Sequence, residues 1–416
     1  MRVLVYLHSF EAGGVERVAL RLAGEWAERG HDVRLAMGRD TGAQRHHAPP
    51  NLIYDFARPS RLAAPFETLW MVAHLLAAIR RHRPDVLFCA GSTYTIVAIL
   101  VRLILGRDCP PTVCKLSNSL ERRDLSAPAR GAFGLWLRFH RPFIDRFVGM
   151  AEPMRDEIER CLGVDAERIA IVPDPALKVS ELELLASTAR ENGPARRFVA
   201  IGRMNAQKNF SLLLRAFADF AGPDDRLVIV GDGPQRRRLF RLAERLRIDD
   251  RVEMTGHVHS VAEALSAADV FVLSSDYEGV PAVIVEALAA GVPIVATDCS
   301  ASMNFLLDNG RLGRLIPVRD RAALASAMRD APSRGSVPAA EMQAKAAQFT
   351  IELAAGAYLN ILESVAREWQ AARVYAWPQP AARFSADAMS AMRSSGSSSP
   401  ICSRTRFEAG GLDTVL

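Results

Sequence analysis

At 416 residues, 49% of them hydrophobic and 24% charged, the chain exceeds a single ordinary core and is too apolar to stay disordered over most of its length. Its six cysteines are scattered without a C-x-x-C pair and no metal-ligand cluster is visible, which argues against a zinc site or disulfide framework and fits a reducing compartment. The formal net charge is only +5, and no apolar run reaches the roughly 18 residues of a membrane-spanning helix.

Residues 2–7 form an apolar strand, followed too soon by Glu11 and Gly13 to be a secretory h-region. After a glycine loop, the periodicity predicts a helix over 16–29, with Val18, Leu22 and Trp26 on one face and Gly30 ending it. Strand 33–37 comes next. The alternation continues with helix 66–81, strand 86–89, helix 93–105, strand 112–116, helix 131–145 and strand 146–150. Such alternation predicts a parallel sheet with helices on both faces. The Pro173-Asp174-Pro175 step would break any helix, so 174–194 reads as a linker from a first domain (1–173) to a second (195–349). The second repeats the pattern, with strands near 198–202, 226–230, 252–255, 270–274 and 292–297. Two Rossmann-like domains would then enclose a cleft. Residues 350–377 carry a long terminal helix, and 378–416, with eight serines between Ser385 and Ser403, are expected to be disordered.

The densest chemistry lies at Tyr277–Leu288, where Glu278 stands just before a helix and Glu286 inside it. Pro281 suits the first helical position, where its missing N–H is no loss. The amides of Gly279 and Val280 then lie unpaired at a helix start, a place for anions and sugar hydroxyls. Glu286 is surrounded by apolar neighbours and needs a partner; a plain salt bridge would also satisfy it. Upstream, Arg203 and Lys208 flank a strand-to-helix loop at the carboxyl end of a strand, where open α/β sheets bind ligands. A planar fork and a point charge suit a diphosphate, although most Arg and Lys are ordinary surface cations. Gly13 and Gly14, in the first strand–helix loop, let backbone N–H groups approach phosphates or an acceptor. Gly231-Asp232-Gly233-Pro234 either shapes the cleft or merely turns the chain.

Gly13-Gly14-Val15-Glu16-Arg17 with Arg29-Gly30-His31-Asp32-Val33, Gly202-Arg203 with Lys208, Val230-Gly231-Asp232-Gly233-Pro234, and the Glu278 to Glu286 pair stand in one order. The set resembles the retaining glycosyltransferases of family 4, also called glycosyl transferases group 1, over about residues 1–375. The resemblance implies an α/β GT-B fold: two Rossmann-like domains facing across a cleft, with a C-terminal helix crossing back to the first. It implies catalytic roles for Arg203 and Lys208, which neutralise the departing diphosphate, and for Glu278, which binds donor-sugar hydroxyls beside the amides of Gly279 and Val280. Glu286 would take the ribose hydroxyls. Gly13, Gly14, Gly202, Gly231 and Val258 would line the donor site, the last near where the family places the base. The resemblance also implies a UDP-sugar or GDP-sugar donor and no requirement for a metal or further cofactor. His257 reads as a surface histidine. One departure stands out: where many members carry a histidine after the strand 112–116, this chain has Lys115-Leu116-Ser117-Asn118-Ser119, so that role is unassigned.

Between Arg58 and Arg146 thirteen Arg and one Lys face six acids, a surplus of eight positive charges. Leu62, Phe66, Leu69, Trp70, Phe133, Trp136 and Phe139 interleave with them, a mixture suited to an anionic membrane surface. Solvated helix faces account for part of that charge. No nucleic-acid module appears, so the expected partners are the nucleotide-sugar donor, a glycan or lipid-linked acceptor, and the inner membrane surface, with a cytoplasmic location. A nucleotide-sugar epimerase of the same two-domain fold and a non-catalytic sugar-binding relative are the rival readings; the Glu278 to Glu286 spacing and Lys208 favour transfer over the first, and the intact Arg203, Lys208, Glu278 and Glu286 argue against the second.

Overall fold

A computed structural model describes residues 1–11, 13–58, 66–122, 125–187, 196–256, 258, 260–334, 336 and 338–376. His257 and the tail expected over 378–416 lie outside the described residues. Residues 1–369 form one compact body; residues 370–376, which end the last helix, belong to a second unit.

Seven strands make the first sheet: β1 (Arg2–Leu7), β2 (Asp32–Met37), β3 (Ile53–Phe56), β4 (Val86–Cys89), β5 (Thr112–Lys115), β6 (Arg146–Gly149) and β7 (Ile169–Ile171). All pairs are parallel, in the order β3-β2-β1-β4-β5-β6-β7. Its helices are α1 (Gly14–Glu28), α2 (Glu67–His82), α3 (Thr95–Leu105), α4 (Ala127–Phe139) and α5 (Met154–Leu162). The unbroken burial of Val3–Leu7 and Val86–Cys89 is what a parallel sheet covered on both faces requires.

After α6 (Val179–Ala186) comes a six-stranded parallel sheet of β8 (Arg197–Ile201), β9 (Arg226–Val230), β10 (Val252–Gly256), β11 (Val270–Leu273), β12 (Ile294–Thr297) and β13 (Arg314–Ile316), ordered β10-β9-β8-β11-β12-β13. Around it lie α7 (Phe210–Phe220), α8 (Arg236–Leu246), α9 (Ala262–Ser266), α10 (Ala282–Ala289), α11 (Ser302–Leu306), α12 (Arg321–Arg329) and α13 (Ala339–Ala347). The long α14 (Ile351–Ala376) ends the described residues. It returns to the first sheet: Tyr358 meets Phe88 edge-on at 5.4 Å, and Trp26 Nε1 donates to the Ala355 carbonyl at 3.1 Å. This is the GT-B architecture.

Several boundaries differ from the expected ones. The helix expected over 131–145 starts at Ala127, because Pro128 in the first turn suits a helix start, and ends at Phe139. Pro281 caps α10 in an extended conformation instead of opening it. The segment expected as a linker contains α6, held to α1 by Arg21, whose Nη2 lies 2.6 Å from Glu181 Oε1. The short β3, β7 and the helix α5 went unforeseen; β3 and β7 are edge strands of four and three residues, too brief for a clear alternation.

Candidate active site

In each sheet the strand order reverses beside the first strand, between β1 and β4 and between β8 and β11. Loops leaving the carboxyl ends on either side of such a point part and leave a crevice. Gly13 to Arg17 follow β1, Gly202 to Lys208 follow β8, Gly231 follows β9, and Ser274 to Val280 follow β11. Topology therefore gathers residues that are distant in sequence.

At the centre, Lys208 Nζ lies 2.6 Å from Glu278 Oε1, with both side chains largely buried. Ser275 Oγ donates to the same oxygen at 2.8 Å, and Gln207 Nε2 to the other at 3.2 Å. Lys208 and Glu278 were expected to serve separate parts of one ligand; the fold joins them into a charged pair. A buried carboxylate held by three donors is fixed in place, which is how a sugar hydroxyl would be oriented without reorganisation. Gly202 lies under the Lys208 stem: a methyl there would meet Lys208 Cε at 2.8 Å. Gly231, at φ +130°, packs so tightly that a Cβ would lie 2.1 Å from the Gly202 carbonyl oxygen. Arg203 is exposed on the same loop. The amides of Gly279 and Val280, both buried, meet no acceptor among the described residues, and buried amides rarely lack one. Burial, reinforced by the charge of Glu278, pushes the Cys299 thiol up to about 12, which disqualifies it as a nucleophile.

The first domain closes onto this loop. Ser119 N donates to the Glu278 carbonyl at 3.3 Å, and the Arg122 guanidinium stacks 4.3 Å from the Tyr277 ring centre. Gly279 permits the approach, since a Cβ there would stand 2.7 Å from the Ser117 carbonyl and 3.1 Å from Asn118 Cα. The Asn118 backbone thus lies against the Glu278–Val280 loop, in the segment where a histidine was missing. Glu157, buried on α5, accepts from Ser119 Oγ at 2.6 Å, Leu120 N at 2.5 Å and Glu121 N at 2.7 Å, and so shapes this loop. Glu286, on α10, meets Arg17 of α1, Nη1 to Oε1 at 3.4 Å.

Gly13 caps α1 and Gly14 opens it, exposed and with open space where a side chain would stand. Val258 is exposed beyond the end of β10 and joins no hydrophobic cluster among the described residues; its strand reaches the site through the Gly231 N to Gly256 carbonyl bond of 2.9 Å. Sequence reasoning missed Gln207, Ser275, Ser119, Glu157 and the pairing of Arg17. Only Gln207, next to Lys208, carried a local signal. A cavity of about 700 Å³ lined by Arg236, Arg237, Phe240, Arg241, Val252 and Met254 lies along α8 and the edge strand β10, and none of the site residues named above lines it.

Residues 12–175 match the family described as Glycosyltransferase Family 4, and residues 195–332 that described as Glycosyl transferases group 1. The chain belongs to the family 4, group 1 glycosyltransferases. Among its relatives in this family, the putative colanic acid biosynthesis glycosyltransferase WcaL of Salmonella typhimurium is 30% identical over 177 residues, 40% of this chain and 43% of WcaL. An exopolysaccharide phosphotransferase of Streptomyces coelicolor is 32% identical over 214 residues, 50% of this chain but only 22% of that protein. Both matches thus span less than half of the relative. Among solved structures, Anabaena HepE in complex with UDP and glucose superposes with a TM-score of 0.67 at 20% identity, over 88% of this chain and all of that one. At that identity the likeness speaks for the fold.

Proposed function

We propose that the chain is a retaining glycosyltransferase. It moves a hexose or N-acetylhexosamine from a UDP-sugar or GDP-sugar to a glycan or lipid-linked acceptor in cell-envelope polysaccharide, lipopolysaccharide or exopolysaccharide synthesis. The observation that carries this reading is the crevice itself: Lys208 paired with Glu278, Arg203 on the same loop, and two buried amides without acceptors beside them. Arg203 and Lys208 face the diphosphate, Glu278 and the Gly279 and Val280 amides hold the sugar, and Glu286 holds the ribose. Gly13, Gly14, Gly202 and Gly231 let backbone approach the donor, and Val258 borders the base. The bond from C1 to the phosphate oxygen breaks while the acceptor oxygen bonds C1 on the same face. The departing diphosphate takes the acceptor proton, so configuration is kept. Negative charge grows on the leaving group, and fixed cations stabilise that state more than the ground state. Asn118 offers a hydrogen bond but no acid–base chemistry. The assignment of WcaL to colanic acid biosynthesis and the UDP and glucose held by HepE support a polysaccharide acceptor and a nucleotide-sugar donor.

Incubation with UDP-, GDP- and ADP-sugars tests the reading: release of nucleoside diphosphate from one class, increased by an acceptor, is expected. Interconversion of the donor without release would point to an epimerase, and no binding to any would defeat the proposal.

The acceptor is delivered at a membrane surface in this reading. No described helix is long and apolar enough to cross a membrane. On α4, however, Leu135, Trp136 and Phe139 are exposed beside the exposed Arg130, Arg138 and Arg141. Part of the charge surplus is matched by acids outside the segment, through Lys115 with Asp174, Arg81 with Asp55 and Arg146 with Glu368. What remains, around α4, suits anionic headgroups on the cytoplasmic face. Co-sedimentation with anionic vesicles should fall with salt and with Arg138→Gln/Arg141→Gln; equal pelleting with neutral vesicles would refute it.

A further inference from the structure

Arg17 occupies the first turn of α1, where a cation lies against the positive end of the helix dipole. Among the described residues its chain neighbour Glu16 makes no bond to it and is directed elsewhere: Glu16 Oε1 accepts from the Tyr94 hydroxyl at 2.7 Å. What holds Arg17 is a carboxylate from the other domain, Glu286, by one long bond of 3.4 Å. The environments are unequal: the Glu286 side chain is 4% exposed, that of Arg17 29%. No other polar group among the described residues touches the Glu286 carboxylate, so most of its roughly four acceptor positions are uncommitted. A carboxylate so buried needs more than one stretched bond, and the structure leaves room for it to gain them.

We propose that Arg17 is a residue of the donor site: a first-domain cation that Glu286 holds while the site is empty and that passes to the donor diphosphate when the ribose hydroxyls take Glu286. The inference rests on the donor-site reading above and adds to it a group from the opposite domain. The exchange leaves no charge stranded. Glu286 gives up one stretched bond and accepts two from hydroxyls; Arg17 gives up one carboxylate oxygen and gains phosphate oxygens, which its planar fork matches. The Gly13 and Gly14 backbone opens the same helix, so Arg17 and the helix start face one ligand together. Because the pair bridges the two domains, nucleoside and diphosphate are read by different residues of the bridge, Glu286 for the ribose and Arg17 for the phosphates.

That division gives the test. Calorimetry on the full chain would compare uridine with UDP and guanosine with GDP, for wild type, Arg17→Gln, Arg17→Lys and Glu286→Gln. Arg17→Gln is expected to reduce the advantage of diphosphate over nucleoside by about 10-fold to 100-fold, the worth of a charge-assisted bond, and to leave nucleoside affinity within about threefold. Arg17→Lys should retain part of the advantage, which separates charge from folding damage, and melting curves check the fold of each variant. Glu286→Gln should weaken nucleoside and diphosphate in equal proportion. An unchanged diphosphate advantage in Arg17→Gln would overturn the proposal, as would tighter UDP or GDP binding, which would make Arg17 a mere obstruction. If wild type binds neither nucleotide pair, the donor-site reading itself falls, and this inference with it.

Discussion

The two domains share a topology and use it differently. In the second, polar and charged groups near the strand ends are tied to two carboxylates: Lys208 and Gln207 to Glu278, Asn209 and Arg319 to Asp276. In the first, the loop meeting the cleft at Ser117–Ser119 offers backbone and small polar groups, while exposed arginines and aromatics lie on α4. A pre-arranged electrostatic site needs short, buried loops with every partner in place. A surface that meets variable or extended partners needs exposed area instead. On the donor-site reading proposed above, the second domain would fix groups where charge develops, and the first would supply approach through this loop.

The sharpest way to break the comparison is through the cations of the loop after β8. Lys208→Ala or Arg203→Ala should lower turnover by about 100-fold to 1000-fold, with a smaller loss of nucleoside binding. Wild-type turnover in both would remove their assigned role. Next is the contact between the domains. Gly279→Ala would place a methyl 2.4 Å from Met150 Cε and 2.7 Å from the Ser117 carbonyl, prising the loops apart. Transfer should fall by up to about 100-fold, since misplacement near 1 Å costs that much, with little change in melting temperature. A variant that keeps its rate would show that closure is not needed.

Smaller effects belong to the first domain alone. Glu157→Ala strands Ser119 Oγ and the Leu120 and Glu121 amides, so a loss of about 1–3 kcal/mol in denaturant unfolding is expected. A loss under half a kilocalorie would mean water replaces the carboxylate. The smallest effect concerns acid. Burial lowers the pKa of His8, His31 and His140. Each is harder to protonate folded than unfolded, so stability is full above the ordinary histidine value of about 6.5 and declines as pH falls below it. Melting temperatures at pH 7.5 and 5.5 should show that decline, and a reduced one in His140→Gln. A pH-independent melt would contradict it.

Much of the fold was legible because covered parallel sheets demand continuous apolar strands, as in Val3–Leu7, Phe198–Ile201 and Val270–Leu273. Elements on the margins were not: β3 has no buried residue, and α6 follows a proline step that reads as a linker. The motif residues Lys208 and Glu278 were visible, but nothing in their neighbourhoods stated that they pair.

By itself the sequence determined the alternation of strands and helices, the glycine turns and the residue types at the strand ends, because these follow from local periodicity and backbone geometry. Tertiary structure alone decided that Lys208 meets Glu278 across 70 positions and Arg17 meets Glu286 across 269. The physical reason is topological. Strand order, fixed by non-local sheet pairing, selects which loops share a crevice, and no local sequence signal encodes that choice.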